Sequence, residues 1–245
     1  MSADREFILR EMGLGPSWKL RVALAESAAE ATPMEARTRP EACASPSAGP
    51  VATVAGAGSM NWDELRSAVA ACRQCRLCEA RKRAVLGVGD VNADWLFVGE
   101  GPGTEEDQRG EPFVGQAGKL LDNMLAAIGL KRGVDVYIAN AVKCRPPENR
   151  TPTPEETAAC LPYLERQIEL IQPKLIVALG RPAAQTLLQA EVKIGAARGR
   201  LHDYRGIPLI VTYHPAYLLR TLLDKAKAWE DLCFMRRTMT GKKGG

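Results

Sequence analysis

Downstream of residue 60 the chain alternates short apolar runs with segments of helical periodicity. DWLFVGE (Asp94 to Glu100), DVYIANAV (Asp135 to Val142), KLIVALG (Lys174 to Gly180) and IPLIVTYHP (Ile207 to Pro215) are apolar runs of strand length; such runs suit strands buried on both faces. Between the first two lies QAGKLLDNMLAAIG, whose Ala117, Leu120, Leu121, Met124, Leu125 and Ile128 fall on one helical face, with Gly129 as the stop. Thr153-Pro154-Glu155-Glu156 predicts a helix start, with Thr153 as N-cap, proline in the first helical position and Glu156 closing a capping box. Pro162 is expected to kink or restart that helix. RPAAQTLLQ predicts another helix, and a final one carries Leu222, Ala226, Trp229 and Cys233 inward. Strand and helix in alternation predict a mostly parallel sheet covered on both faces. Such sheets bind ligands outside the carboxyl ends of their strands. GEGPG after the first strand, Asn140 in the second and HPAYLLR after the last occupy such ends.

The region before residue 60 has a different texture. REFILREMGLGPSWKLR (Arg5 to Arg21) predicts a short helix from about residue 3 to Met12, stopped by Gly13. Residues 26–59 are rich in Ala, Pro, Ser and Gly and predict a disordered linker. The expected organisation is a docking peptide over residues 1–25, a linker over 26–59 and one folded domain over 60–240.

The 245 residues, 46% apolar and 25% charged, suffice for one well-buried α/β domain. No run approaches a membrane span, and the charged N-terminus lacks the apolar core of a secretory signal. Residues 1–60 hold 6 Lys/Arg and 7 Asp/Glu, the remainder 27 and 22. That mild basic excess in the folded part is compatible with nucleic acid without demanding it.

Seven cysteines without an export signal point to a reducing compartment and to metal ligation. Cys72, Cys75, Cys144 and Cys160 form a C-x2-C…C-x15-C pattern. Four thiolates suit an iron–sulfur cluster or zinc. The wide second pair weakens a zinc ribbon, and unliganded buried thiols are the third alternative. Cys78 competes as a ligand or is a small core residue; Cys43 and Cys233 are incidental.

GEGPGTEEDQRGEPF (Gly99 to Phe113) is neither a dinucleotide fingerprint nor a P-loop. Its Glu105, Glu106 and Asp107 repel phosphate, so the loop suits an uncharged partner or a cationic transition state such as the oxocarbenium-like state of glycosidic cleavage.

Together GEGPGTEEDQRGEPFVGQAGKLLDNML, IANAVKCRPPENR, the four-cysteine spacing and HPAYLLR resemble the family 4 uracil-DNA glycosylases, which carry a [4Fe-4S] cluster. The resemblance runs from about Cys72 to about Met235. It implies a three-layer αβα fold around a four-stranded parallel sheet, and excision of uracil from DNA. It also implies cluster ligation by Cys72, Cys75, Cys144 and Cys160. Glu100 and Gly101 would line the base pocket with their backbone, Phe113 would stack on the flipped base, and Asn140 would pair with the uracil edge. His214 would stabilise the departing base, and Glu106 would lie near it. Gly101 stands where family 1 enzymes carry a water-orienting aspartate, which leaves Glu106 or Asp107 as neighbouring carboxylates and no assigned general base. Expected DNA contacts are Arg145, Arg150, Arg220 and Lys143 on phosphates, with Tyr217, Leu218 and Leu219 as a wedge in the base stack.

REFILREMGLGPSWKLR also resembles the N-terminal peptide of the bacterial clamp-loader psi subunit, which binds the chi subunit. The implied protein is a cytoplasmic, nucleoid-associated monomer acting on uracil-containing DNA. The competing class is a non-catalytic iron–sulfur nucleic-acid-binding accessory of the replication machinery, and the presence of both Asn140 and His214 favours the enzyme. A relative that captures uracil covalently is disfavoured, because CRPPENRTPTPEE lacks the histidine of that group's insert.

Overall fold

The computed structural model describes residues 57–242. The expected docking peptide and most of the linker lie outside these residues. The described chain starts with a 3-10 turn, Ala57–Ser59, whose Ala57 is buried. Met60 offers its carbonyl to Arg166 Nε at 2.6 Å.

The elements in chain order are α1 (Trp62–Ala71), α2 (Leu77–Ala80), β1 (Val88–Gly89), β2 (Trp95–Gly99), α3 (Thr104–Arg109), α4 (Gln116–Ala127) and β3 (Val136–Asn140). They continue as α5 (Pro154–Ile171), β4 (Leu175–Leu179), α6 (Arg181–Leu188), α7 (Ile194–Ala197), β5 (Leu201–Tyr204), β6 (Ile207–Thr212), α8 (Pro215–Arg220) and α9 (Lys225–Lys242). All four apolar runs are strands, and they form the parallel centre of the sheet in the order β3-β2-β4-β6. Among the described residues the sheet has six strands rather than four: β1 pairs antiparallel with β3 at one edge and β5 antiparallel with β6 at the other. Both edges lack an apolar signature, β1 being two residues long and β5 (LHDY) largely exposed.

Every residue of β2, β3 and β4 is buried, and the pleat sorts them between two layers. Leu96, Val98, Ile176, Ala178, Leu209 and Val211 meet Leu164 and Ile168 of α5 and Ala183, Ala184 and Leu187 of α6. Trp95, Phe97, Ile138, Val177 and Ile210 face Leu121 and Leu125 of α4 together with α8 and α9. A third cluster under α1 and α2 gathers Leu65, Val69, Leu77, Val142, Cys144, Cys160 and Tyr163.

The predicted α4 face and the α5 capping box are present: Glu156 N–H donates to Thr153 Oγ1 at 3.3 Å and Thr153 N–H donates to Glu156 Oε2 at 2.9 Å. One helix expectation is corrected, that for α9, and at Pro162 the expected restart does not occur. α5 runs through Pro162 without restarting. α9 buries Ala228, Leu232, Met235 and Met239, while Leu222, Ala226 and Trp229 face solvent. Buried Asp231 sets that phase: it accepts from Thr212 Oγ1 at 2.8 Å and pairs with Arg198, so α9 is clamped to the end of β6 by the face that carries it.

Candidate active site and thiol cavity

Four strand ends meet at one edge of the sheet. Gly99 stands beside Asn140 in register, and Leu179 beside Thr212. Glu100, Gly101, Glu106, Phe113, Asn140, His214, Tyr217 and Arg220 all line one cleft of about 420 Å³. The sequence therefore named residues from three separate segments that the fold brings together.

Asn140 is buried at the end of β3, and its Oδ1 has no hydrogen-bond partner. Desolvating an acceptor without compensation is costly, so this atom is poised for a donor supplied from the cleft. Gly99 makes room for it: a Cβ there would lie 2.5 Å from Asn140 Oδ1 and 2.6 Å from the Phe113 ring. Phe113 adopts φ 54°, a region bulky side chains avoid. Arg132 holds it there, donating to the carbonyls of Pro112 at 2.9 Å and Phe113 at 2.8 Å. Gly118 of α4 presses on the same carbonyl so closely that a Cβ would sit 1.8 Å from it. The Phe113 and His214 rings lie 5.5 Å apart.

His214 is the N-cap of α8, and its Nδ1 accepts the N–H of Ala216 at 3.1 Å. That bond leaves the ring proton on Nε2. Burial, with a lesser push from Arg220, lowers the imidazole from 6.5 to about 4, and Glu106 only partly opposes this. The ring is thus a neutral donor at physiological pH. Gly180, at φ +90°, lets β4 approach it, where a Cβ would meet that of His214 at 2.9 Å.

The acidic segment is a helix, α3, and two of its three carboxylates, Glu106 and Asp107, are engaged by backbone N–H groups while Glu105 is exposed. Glu106 accepts from Gly103 N at 3.1 Å, Val114 N at 2.9 Å and Gly115 N at 3.0 Å, tying α3 to the Phe113 loop. Asp107 points away from the cleft: buried, it accepts from the backbone of Lys82 at 2.8 Å and Arg83 at 3.3 Å. Glu100 lies between the cleft and a second cavity of about 580 Å³. Burial raises its carboxyl, with Thr151 and Arg181 opposing.

Several expected DNA contacts are redistributed. Leu218 is 1% exposed and packs in the core, so it is no wedge; exposed apolar side chains nearby are Leu219, Leu222 and Leu223. Lys143 is 1% exposed and cannot meet phosphate. Arg150 lines the cleft but makes a two-pronged pair with Glu156 at 2.7 and 2.8 Å. Arg145 lies off the cleft, donating to Asn149 Oδ1 at 2.8 Å. Tyr217 stacks on Tyr213 at 5.3 Å and donates to Asp224 at 2.6 Å.

Cys72, Cys75, Cys78, Cys144 and Cys160 line a third, separate cavity with Arg81, Lys143 and Tyr163. Arg81 Nη1 donates to Cys144 Sγ at 2.9 Å, and the backbone N–H of Lys143 donates to Cys160 Sγ at 3.2 Å. Burial raises the thiols of Cys75, Cys144 and Cys160, the last to about 12. Among the described residues no three such side chains converge tightly enough to hold a single metal ion.

A sequence model of the uracil DNA glycosylase superfamily matches residues 86–233. The chain belongs to that superfamily. A type-4 uracil-DNA glycosylase of Archaeoglobus fulgidus is 48% identical over 165 residues, 64% of this chain and 82% of that protein. One of Thermotoga maritima is 50% identical over 151 residues, 61% and 78%. One of Pyrobaculum aerophilum is 43% identical over 182 residues, 71% and 92%. Within this superfamily member, the residues that sequence reasoning missed are those packed around Phe113 and Asn140: Gly99, Gly118 and Arg132; Lys143 was named, but as a phosphate contact rather than a buried side chain. Gly118 inside a helical pattern was a legible signal of close approach; the others act through contacts that no local pattern announces.

Proposed function

We propose that the protein is a uracil-DNA glycosylase that extrudes uracil from DNA and hydrolyses its N-glycosidic bond, initiating repair of deaminated cytosine. The observation that carries this reading is the unpartnered, buried Asn140 Oδ1 in the same cleft as a neutral His214. Uracil presents N3–H as a donor and O4 as an acceptor. A carboxamide answers both, Oδ1 taking N3–H and Nδ2 donating to O4, whereas cytosine inverts the pattern. Phe113 packs on the flipped ring. As the C1′–N1 bond breaks, negative charge moves onto the base, and the Nε2–H of His214 donates to it. A preorganised neutral donor in a water-poor site needs no reorganisation at that moment. Glu106 acts through the loop it orders. The sugar is cationic in the transition state, so the carboxyl of Glu100 at the cleft wall is tolerated there, and phosphates are gripped by Arg220 and Arg145 outside it.

The all-thiol donor set, with N–H groups already aimed at two of its sulfurs, fits a [4Fe-4S] cluster held by Cys72, Cys75, Cys144 and Cys160. When bound, the cluster supplies a cross-link between α1, the β3 end and α5, since hydrolysis needs no electrons. The monomeric, cytoplasmic, nucleoid-associated state and the docking of residues 5–21 on the clamp-loader chi subunit belong to the same proposal and rest on the sequence resemblance alone.

The test is alkaline cleavage of a uracil-containing oligonucleotide after incubation with the iron-bearing protein. Strand scission is expected, with losses of roughly 10²–10³ in rate for His214→Ala and at least as much for Asn140→Ala. Intact strands with the unmodified protein would return it to the class of non-catalytic accessories.

A further inference from the structure

Lys143 is an unusual lysine. Its side chain is 1% exposed, and no carboxylate pairs with it among the described residues. Its Nζ donates to the carbonyl of Asn140 at 2.8 Å and to Gln167 Oε1. Gln167 is itself fixed, donating to the carbonyl of Leu86 at 2.9 Å and to Tyr137 Oη at 3.2 Å. On its other side Lys143 reaches the thiol cavity, which it lines, and its backbone N–H meets Cys160 Sγ.

A buried ammonium with only neutral acceptors costs several kcal/mol. Carbonyl and amide oxygens satisfy its protons but do not cancel its charge. Among the described residues the groups beside it that can carry negative charge are the cavity's sulfurs, which are thiolates when they ligate a cluster. Arg81 is a second cation on the same cavity, anchored by the carbonyls of Ala70 at 2.7 Å and Cys72 at 2.9 Å. A doubly positive iron–sulfur core held by four thiolates carries two negative charges, and Arg81 and Lys143 supply two positive ones.

Resting on the glycosylase reading above, we infer that Lys143 is a positioning residue that couples the thiolate cavity to base recognition: the cavity's negative charge holds the ammonium, and the ammonium holds the backbone of Asn140. Asn140 and Lys143 are separated by two residues just beyond β3; the N–H groups of those two, Ala141 and Val142, donate to the carbonyls of Gly99 at 2.8 Å and Glu100 at 3.1 Å, while the carbonyl of Asn140 itself accepts from Lys143 Nζ. A drift of that carbonyl swings the carboxamide out of register with the extruded base, while the sheet behind it stays intact. Loss of the cavity's charge therefore degrades uracil reading before it degrades the fold.

The experiment uses full-length protein purified with its iron. Lys143→Met keeps the length and apolar stem of the side chain and removes its charge; Gln167→Leu removes one acceptor and leaves the charge. Three quantities are read: iron and sulfide per chain with the reduction potential, affinity for a duplex bearing a non-cleavable 2′-fluoro-deoxyuridine, and affinity for the undamaged duplex. In iron-loaded Lys143→Met the potential is expected to move to a more negative value, because a cation beside the thiolates is gone. Affinity for the analogue duplex is expected to fall by roughly tenfold or more, with undamaged-duplex affinity unchanged. Gln167→Leu is expected to leave the potential in place and weaken analogue binding by less. An unchanged potential or unchanged analogue affinity in loaded Lys143→Met overturns the inference. If that variant fails to fold or load, a crystal structure of the iron-bearing wild type decides: Nζ turned away from the Asn140 carbonyl overturns it, and the bond retained beside the occupied cavity supports it. A wild type that releases no uracil sinks the glycosylase reading instead, so the two failures are separable.

Discussion

In the proposed mechanism His214 and Asn140 divide the work of the site by opposite electrostatic means. His214 is a donor kept neutral, with its Nδ1 occupied by the Ala216 N–H and its imidazole lowered to about 4. Its folded value lies below the ordinary 6.5, so between these two values the unfolded chain takes up a proton that the folded one refuses. Stability from this group is complete above pH 6.5 and declines as pH falls towards 4, by about 3 kcal/mol in all. Activity is expected to stay level as pH drops from about 8 to about 5.5; a pH–rate profile with a fall centred near 6.5 contradicts the neutral-donor assignment. Asn140 instead carries an acceptor without a partner. Replacing it by the similarly shaped Leu removes an unsatisfied buried group, so Asn140→Leu is expected to abolish uracil release while raising unfolding free energy by about 1 kcal/mol in denaturant titration.

Secondary elements matter here chiefly for what they press together. α4 approaches the Phe113 turn through Gly118, and a methyl at that position collides with backbone rather than with a flexible side chain. Gly118→Ala is expected to cost about 1–3 kcal/mol and to reduce activity beyond the stability loss by shifting Phe113, measurable as a lower kcat in protein that is still folded. The turn after α8 offers the reverse case: Leu222 and Leu223 are 62% and 89% exposed, following Arg220 of the cleft. Large apolar side chains left in water beside a base pocket suit insertion into a stacked duplex. The double change Leu222→Ser, Leu223→Ser is expected to lower uracil release from duplex by roughly tenfold and leave single-stranded substrate unaffected; equal losses on both substrates count against a wedge. α9 shows how an element can be legible while its orientation is not. Its sequence carries two apolar stripes, and the one chosen is set by Asp231 docking on Thr212 and Arg198, partners far away in the chain.

Across the whole molecule the charges are segregated by function. Glu106 and Asp107 of α3 are spent on capping and loop ordering, buried Lys143 and half-buried Arg81 line the thiol cavity, and Arg220 is a cleft-lining cation with no ion pair among the described residues. Binding is therefore expected to weaken with salt, and Arg220→Ala to reduce the slope of log affinity against log salt by about 1, for undamaged and uracil-containing DNA alike. A change confined to uracil-containing DNA would place Arg220 on the base rather than on phosphate.

The order of apolar runs and helical segments determined the layered α/β architecture, because burial on both faces of a parallel strand requires a continuous apolar run wherever the chain goes. The glycine–acid loop, Asn140 and His214 were singled out through the family resemblance and the four cysteines through their spacing, and the fold places the first group on one cleft and the second on one cavity. Tertiary structure alone decided which groups were free to act. It turned Asp107 away from the cleft, sank Leu218 and Lys143 into the interior, and occupied Glu106 with backbone N–H groups. These outcomes depend on partners that folding brings from distant parts of the chain, and whether a polar group is satisfied or orphaned is a property of that assembled neighbourhood rather than of the residue.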